Sequence, residues 1–427
     1  MLRNWIKERV PAPLVYACAF GVAIRLLHIF CGPIYAPHDE ATLFDAIGLN
    51  LASGNHFALP GSPPMVTRAP LFPFFLSLIY RTCGHHFIAV YLIHTALFIC
   101  TALVLFQLAQ EVFLDRTVSL ATVWLFACFP GFIGYTNGLK KEILLCFLLI
   151  QMTYLLVRAV KSGSLWAYCF AGIWLGLSDL IRPIGLLFPL WFSLLAFFYP
   201  PARRRAVFAG AAVFCISSWL VIMPWTLRNR LLVPDQWIPV STDAGVMLFG
   251  GNYPPAQGSW IDCAQEPVKG ILERAGYKPE DCLEPGPDRV LIREGLKLIA
   301  AHPATSLRLY FKKIGMLWLS GYSSSLGFYA PIQSRGELIA RYGYSMLAFV
   351  ALCKFWSLLI LAFFGFGLYK ALRSGSNAHV PMILLLAYLT LLHAVMLGIE
   401  EYTLPVWPLV MAYAAYGAAR IRDKSPI

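Results

Sequence analysis

Pro37-His38-Asp39-Glu40-Ala41, followed by Arg68-Ala69-Pro70-Leu71-Phe72-Pro73, interrupts a chain that is otherwise mostly lipid-soluble. The two carboxylates come directly after a first apolar run at 11–31. A membrane protein has no need of a carboxylate pair at this place unless the pair does chemistry at the water–lipid boundary. With its flanks, this stretch describes a polytopic membrane protein that keeps its chemistry at the water–lipid boundary. It raises a specific hypothesis: an enzyme that takes a lipid-carried donor from the bilayer and transfers a group on the outer face.

The rest of the chain agrees with the membrane reading. Its 427 residues are 59% hydrophobic and only 13% charged, with a mean hydropathy of +0.65. Soluble domains carry about 25% charged residues. The deficit is spread as repeated apolar runs, and a span needs about 20 such residues. Lipid leaves no partner for an open backbone, so spans are helices or closed barrels. These runs are too long and too evenly apolar for barrel strands. The net charge of +12 is not a nucleic-acid footprint, because the basic residues sit at run ends and form no stripe. Most of the excess follows the positive-inside rule. Cys18, Cys100, Cys128, Cys146, Cys169, Cys215 and Cys353 lie inside apolar runs and read as small buried residues. No Cys/His spacing suggests zinc.

Arg3, Lys7 and Arg9 precede the first run, as in a signal peptide. The run is long, however, contains Arg25 and lacks a small-x-small cleavage site, so it reads as an uncleaved first span. Apolar runs at 11–31, 87–109, 117–136, 142–160, 165–181, 184–200, 206–225, 345–369, 379–398 and 403–420 give about ten spans. Arg158 and Lys161, Arg203 to Arg205, Lys370 and Arg373, and Arg420, Arg422 and Lys424 then share one side with the N-terminus. That side is the cytoplasm, with both termini there. Residues 1–427 form one integral membrane domain. Two long segments fall outside: 32–86, read as catalytic, and about 226–344, read as substrate-shaping. In the first, Leu43, Ile47 and Leu51 recur at helical spacing before Gly54. Residues 70–80 are apolar but too short to span. In the second, a helix is expected over 289–301. Residues 307–319 are apolar but carry Lys312 and Lys313. They read as interfacial, since a span there would break the charge-based topology.

Basic residues on the wrong side of the rule are the informative ones: Arg68, Arg81, Lys140, Lys141, Arg182, Arg228 and Arg230. Together they suit a phosphate or pyrophosphate at headgroup depth. The plainer reading of any one is snorkelling at an interface. Among the acids Asp39, Glu40, Asp45, Glu142, Asp179, Glu400 and Glu401, the leading candidates are Asp39 and Glu142. Asp39 has a second reading as a helix N-cap, placed behind catalysis because of the surrounding pattern; Glu142 has one as a helix-start charge, and Glu40 reads as a supporting or first-turn charge. His38, His56, His85 and His86 cluster in the first outer segment but lack metal-motif spacing. No cofactor is therefore assigned, and a divalent metal stays an open alternative without a motif to support it. Cys263 and Cys282 lie between turns in the second outer segment, and a disulfide is expected there if that side is oxidising.

From the first span to the last, the chain resembles the polytopic glycosyltransferases of the GT-C fold. The likeness is to the bacterial branch related to protein O-mannosyltransferases and to the lipid A aminoarabinose and galacturonic acid transferases. The landmarks run in order. They are Arg25-Leu26 in span one, Asp39-Glu40 after it, and Arg68-Ala69-Pro70-Leu71-Phe72-Pro73 for the family's basic-Pro-Pro-Leu-x-Pro. Lys141-Glu142 opens span four and Arg182-Pro183 follows span five. Pro224-Trp225-Thr226-Leu227-Arg228-Asn229, Gly251-Asn252 and Tyr402-Thr403-Leu404-Pro405 complete the set. There are three departures. Ala69 replaces a Pro, Lys141 replaces a small hydroxyl residue, and Glu401 stands where members often have Arg.

The resemblance implies an all-α GT-C-like bundle with juxtamembrane helices in the two outer segments. It implies transfer of a hexosyl or pentosyl group from a polyprenyl-phosphate sugar to a lipid, glycan or protein acceptor, with inversion. Asp39 would be the base, Glu142 and Glu40 its companions, and Arg68, Arg182, Lys141 and Arg228 the donor-phosphate contacts. Two rival readings stand beside it: a flippase of lipid-linked sugars, and a non-catalytic member of the same fold. A flippase would place polar groups at midplane, where only His94, Gln151 and His393 are candidates. Either rival should tolerate Asp39→Asn better than an enzyme would.

Overall fold

The computed structural model describes residues 11–32, 40–198, 201–327 and 334–421; Asp39 and His38 lie outside them. The described chain is all-helical. The first helix, α1 (Ala12–Cys31), starts behind Pro11 and stops at Gly32. Its Arg25 is buried and donates to the Gly21 and Ala127 carbonyls at 3.0 and 3.2 Å, over the Phe98 ring at 3.7 Å. Two short helices follow, α2 (Glu40–Ala52) and α3 (Leu71–Cys83), packed on one another. The expected period over 40–52 is thus a helix. Gly54 follows its end with a φ of +87°, a left-handed conformation natural to glycine.

The third segment of the bundle is α4 (Phe87–Phe113). The run expected at 117–136 is two helices, α5 (Arg116–Cys128) and α6 (Pro130–Thr136), bent by 52°. Pro130 lacks the N–H that would continue the ladder. The carbonyls at the end of α5 are left over, and Arg25 takes the one at Ala127. Next come α7 (Glu142–Ser162) and α8 (Leu165–Asp179). The run expected at 184–200 is not one helix. It is a turn through Pro183 and Gly185, then the short α9 (Phe188–Ser193) and a 3₁₀ turn. Asp179 forms the turn by accepting from the Gly185 N–H at 2.6 Å.

The long α10 (Pro201–Leu232) continues through Pro224. It packs closely on α8 because Gly172 and Gly176 leave room: a Cβ at either would strike the α10 backbone, the small-x3-small device of membrane helix pairs. The second outer segment holds α11 (Ala244–Asn252), α12 (Val268–Arg274), α13 (Pro285–Ala301) and α14 (Pro303–Trp318). So the helix expected at 289–301 begins one turn earlier, at Pro285. The stretch 307–318 lies in α14, which is not among the helices long and apolar enough to span, and Leu319 follows as its C-cap. Lys313 on α14 is buried and donates to the Val395 and Met396 carbonyls at 3.0 and 3.2 Å.

Three helices close the bundle: α15 (Arg335–Arg373), turned at Gly343, α16 (Val380–Val395) and α17 (Trp407–Arg420). Lys313 therefore caps the carbonyl end of α16, a favourable place for a cation. By length and composition, six of the described helices can cross a membrane, or seven if the bent pair is one span. The difference from about ten expected arises at short or broken helices such as α8, α9 and α17.

Candidate active site

Four chain regions meet at one end of the bundle: the start of α2, the start of α7, the turn after α8 and the 3₁₀ turn Glu400–Tyr402 before α17. Each is a place where a helix begins or breaks, so polar side chains there need not cross lipid. Lys141 Nζ donates to Glu40 Oε1 at 2.6 Å. Arg182 Nη2 donates to Glu142 Oε1 at 2.9 Å and to Glu401 Oε1 at 3.3 Å. Glu40, Lys140, Lys141, Glu142 and Glu401 line one cavity of about 180 Å³. Four of the expected site residues, Glu40, Lys141, Glu142 and Arg182, are thus brought together.

The Asp179–Gly185 hydrogen bond shapes the turn that carries Arg182 into this cluster. The guanidinium also lies over the Tyr402 ring at 4.5 Å, and Tyr402 stacks on His393 at 4.6 Å. Burial works to raise the Glu40 pKa, but Lys141, with Arg182 and Arg68, outweighs it and holds the carboxyl at about 2. Glu40 is therefore ionised at neutral pH and a poor proton acceptor, since a general base works best with a pKa near ambient pH. Among the described residues, Arg68 hydrogen-bonds its own loop, at the Thr67 carbonyl, 3.1 Å away. Its Nε and the Nη1 of Arg182 are buried and find no hydrogen-bond partner among the described residues. Two guanidinium donors are thus left unspent, and a guanidinium fork suits a phosphate.

Arg228 is placed elsewhere. It donates to the Met65 carbonyl at 2.6 Å and lies over Trp225 at 4.3 Å, bracing the first outer segment. His85 and Tyr80 both bind Asp45, at 2.8 and 2.6 Å, which accounts for two more of the polar residues there.

Two residues of this region were not among the expected site residues. Glu401 was noted as a departure, and it turns out to bridge to Arg182. Asp243 stands at the N-cap of α11 but makes no side-chain cap hydrogen bond. Asp288 of α13 does that work instead, accepting from the Gly245 N–H at 2.7 Å. Asp243 is left in the field of Lys141, Arg68 and Arg182, although burial dominates and raises its pKa. Only the uncommitted cap gives it away, and that is invisible in sequence.

Cys263 and Cys282 are both buried thiols in one apolar cluster with Val268 and Leu272. They share a side-chain hydrogen bond, which lowers the Cys282 pKa. Under oxidising conditions we expect them to join. A stabilisation of about 3 kcal/mol is the scale for a loop of this size. Intact mass and peptide mapping without reductant check this; free, alkylatable thiols after air oxidation would refute it.

Residues 67–227 match the family model for dolichyl-phosphate-mannose-protein mannosyltransferase. That segment contains Arg68, Lys141, Glu142 and Arg182. Among solved structures, the chain is similar to the archaeal oligosaccharyltransferase AglB from Archaeoglobus fulgidus in complex with an inhibitory peptide and a dolichol-phosphate. The identity is 13% and the TM-score 0.55, over 98% of this chain and 51% of that one. It is also similar to the Archaeoglobus fulgidus oligosaccharyltransferase tethered to an acceptor peptide, at 15% identity and TM-score 0.56, over 99% and 50%. The apo form of that enzyme gives 14% and 0.57, over 98% and 51%. The chain thus spans about half the length of these structures. No curated protein matches the sequence significantly. The fold is GT-C, in a protein with multiple apolar membrane helices.

Proposed function

We propose that this protein is a glycosyltransferase that moves a sugar from a polyprenyl-phosphate donor to an acceptor at the outer face of a bacterial inner membrane. The observation that carries the reading is the pair of unspent guanidinium donors, on Arg68 and Arg182, beside a carboxylate-lined cavity. The family match over 67–227 covers both arginines. In this reading Asp39 takes the acceptor hydroxyl proton. The acceptor oxygen attacks the anomeric carbon as the bond to the phosphate oxygen breaks, and the phosphate leaves with the electron pair. Arg68 and Arg182 meet the charge that develops on it, a form of transition-state stabilisation. Glu142 and Glu401 hold Arg182 in place, and Lys141 holds Glu40.

The test is transfer by the reconstituted protein from a labelled polyprenyl-phosphate sugar, with mass spectrometry of cell-envelope glycans in cells with and without it. Movement of the labelled lipid across the bilayer with no transfer would instead support a flippase. Arg68→Ala should lose about 1.5–3 kcal/mol of donor binding or transition-state energy, the scale of a charge-assisted hydrogen bond. Unchanged kinetics in the lipid donor would remove Arg68 from the phosphate site.

A further inference from the structure

A second, larger cavity of about 750 Å³ lies between α14 and α15. Lys312, Lys354, Ser259, Ser320 and Glu400 are among its lining residues. Lys354 is the unusual member, because it interrupts the apolar run of α15 between Cys353 and Phe355. It makes no ion pair and no hydrogen bond with any described residue. A lysine within a membrane helix is costly and is by default a functional-site hypothesis. Its depth is informative too. From Lys354 to Lys370, at the other end of the span, is about 24 Å along an ideal helix, close to a hydrocarbon core of about 30 Å. Lys354 therefore stands just inside the headgroup boundary, from where a lysine side chain reaches it. Leu352 and Phe355 beside it are 64% and 61% exposed, so this side of the cavity opens toward lipid.

Lys312 reaches the same cavity from α14, with its ammonium on Gln257 Oε1 at 2.6 Å and no carboxylate partner among the described residues. The acid in the lining, Glu400, is a weak counter-charge: burial, then the neighbouring Glu401, push it up to about 7. Glu400 lines this cavity and Glu401 lines the smaller one, so the two spaces share a wall one 3₁₀ turn thick.

We propose that this cavity binds the phosphorylated headgroup of a membrane lipid, held by Lys354 and Lys312 with its chains against α15. It is a site apart from the Arg68/Arg182 cluster, and binding there does not depend on the transfer reaction. The serines and the two mobile ammonium groups suit a phosphate as point-charge and hydroxyl donors. A lysine that merely snorkels would bind no particular lipid.

The experiment is native mass spectrometry of the full-length protein in detergent, titrated with phosphatidic acid or with phosphatidylcholine. Parallel titrations include millimolar inorganic phosphate as competitor. We expect saturable retention of one phosphatidic acid, weakened about tenfold or more by Lys354→Gln, the scale of one charge-assisted bond. Lys354→Arg should retain it, and Lys312→Gln with Lys354→Gln should abolish it. Equal retention by the parent and Lys354→Gln, or equal retention of phosphatidylcholine, would overturn the site. Full displacement by inorganic phosphate would overturn the lipid assignment. An unchanged melting temperature for Lys354→Gln separates lost binding from lost fold.

Discussion

Asp39→Asn should abolish transfer while leaving folded protein in the membrane. Asn is nearly isosteric with Asp and also caps helices, so a capping role predicts little change. Asn does not accept a proton at neutral pH, so a general-base role predicts a loss of about 10²–10⁴-fold in rate. The geometry sharpens the contrast. Glu40, next in sequence, is tied to Lys141 and held as a charged carboxylate. Glu142 is tied to Arg182. Both neighbouring carboxylates are thus engaged with cations, and the proposed base is the carboxylate next to Glu40 in sequence. The measurement is turnover of the purified variant with a polyprenyl-phosphate sugar, beside its thermal midpoint. Near-normal turnover would remove Asp39 as the catalyst and pass the role to Glu142.

The second large effect should come from Arg182→Met. Arg182 and Glu142 are 9% and 3% exposed at their side chains, and Glu401 joins them at 25%. Removing the cation leaves two carboxylates facing each other with little water. Breaking a buried pair from one side costs about 3–5 kcal/mol. Transfer should also fall about 10²–10³-fold, as when one transition-state donor is removed elsewhere. The two losses can be separated. Combining Arg182→Met with Glu142→Gln and Glu401→Gln should recover most of the thermal midpoint, because the uncompensated charge is gone. It should not recover the rate. A single Arg182→Met variant that melts with the parent would show that the pair contributes nothing to stability, and recovery of rate in the triple variant would remove Arg182 from the chemistry.

Much of this was legible because membranes simplify the reading. Helix α2 announces itself by Leu43, Ile47 and Leu51. Lys141, Glu142 and Arg182 stand out as charges at span ends on the side that should carry few. What was not legible depends on contacts between distant segments. Nothing local links Glu401 to Arg182. Asp243 drew no notice in the sequence, because its uncommitted state depends on Asp288, 45 positions away, taking the Gly245 N–H. Arg228 carries the right charge in the right region, yet its guanidinium is spent on the Met65 carbonyl. The run at 184–200 has the hydropathy of a span, but Pro183 and Gly185 divert it and the Asp179 carboxylate fixes the diversion. Hydropathy counts residues and does not see that bond.

The Arg182–Glu401 bridge joins residues 219 positions apart, and this has a consequence for biosynthesis. At about 5–20 residues per second, Arg182 leaves the ribosome roughly 10–45 s before its second carboxylate exists. Through that interval Arg182 has Glu142 as its ion-pair partner and lacks the second carboxylate that bridges to it. The cluster can be completed only when the segment before α17 arrives. Loss of α17 and the turn before it, by a premature stop or a cleavage, would therefore leave Arg182 without its Glu401 bridge, undoing the cluster from the far end of the chain.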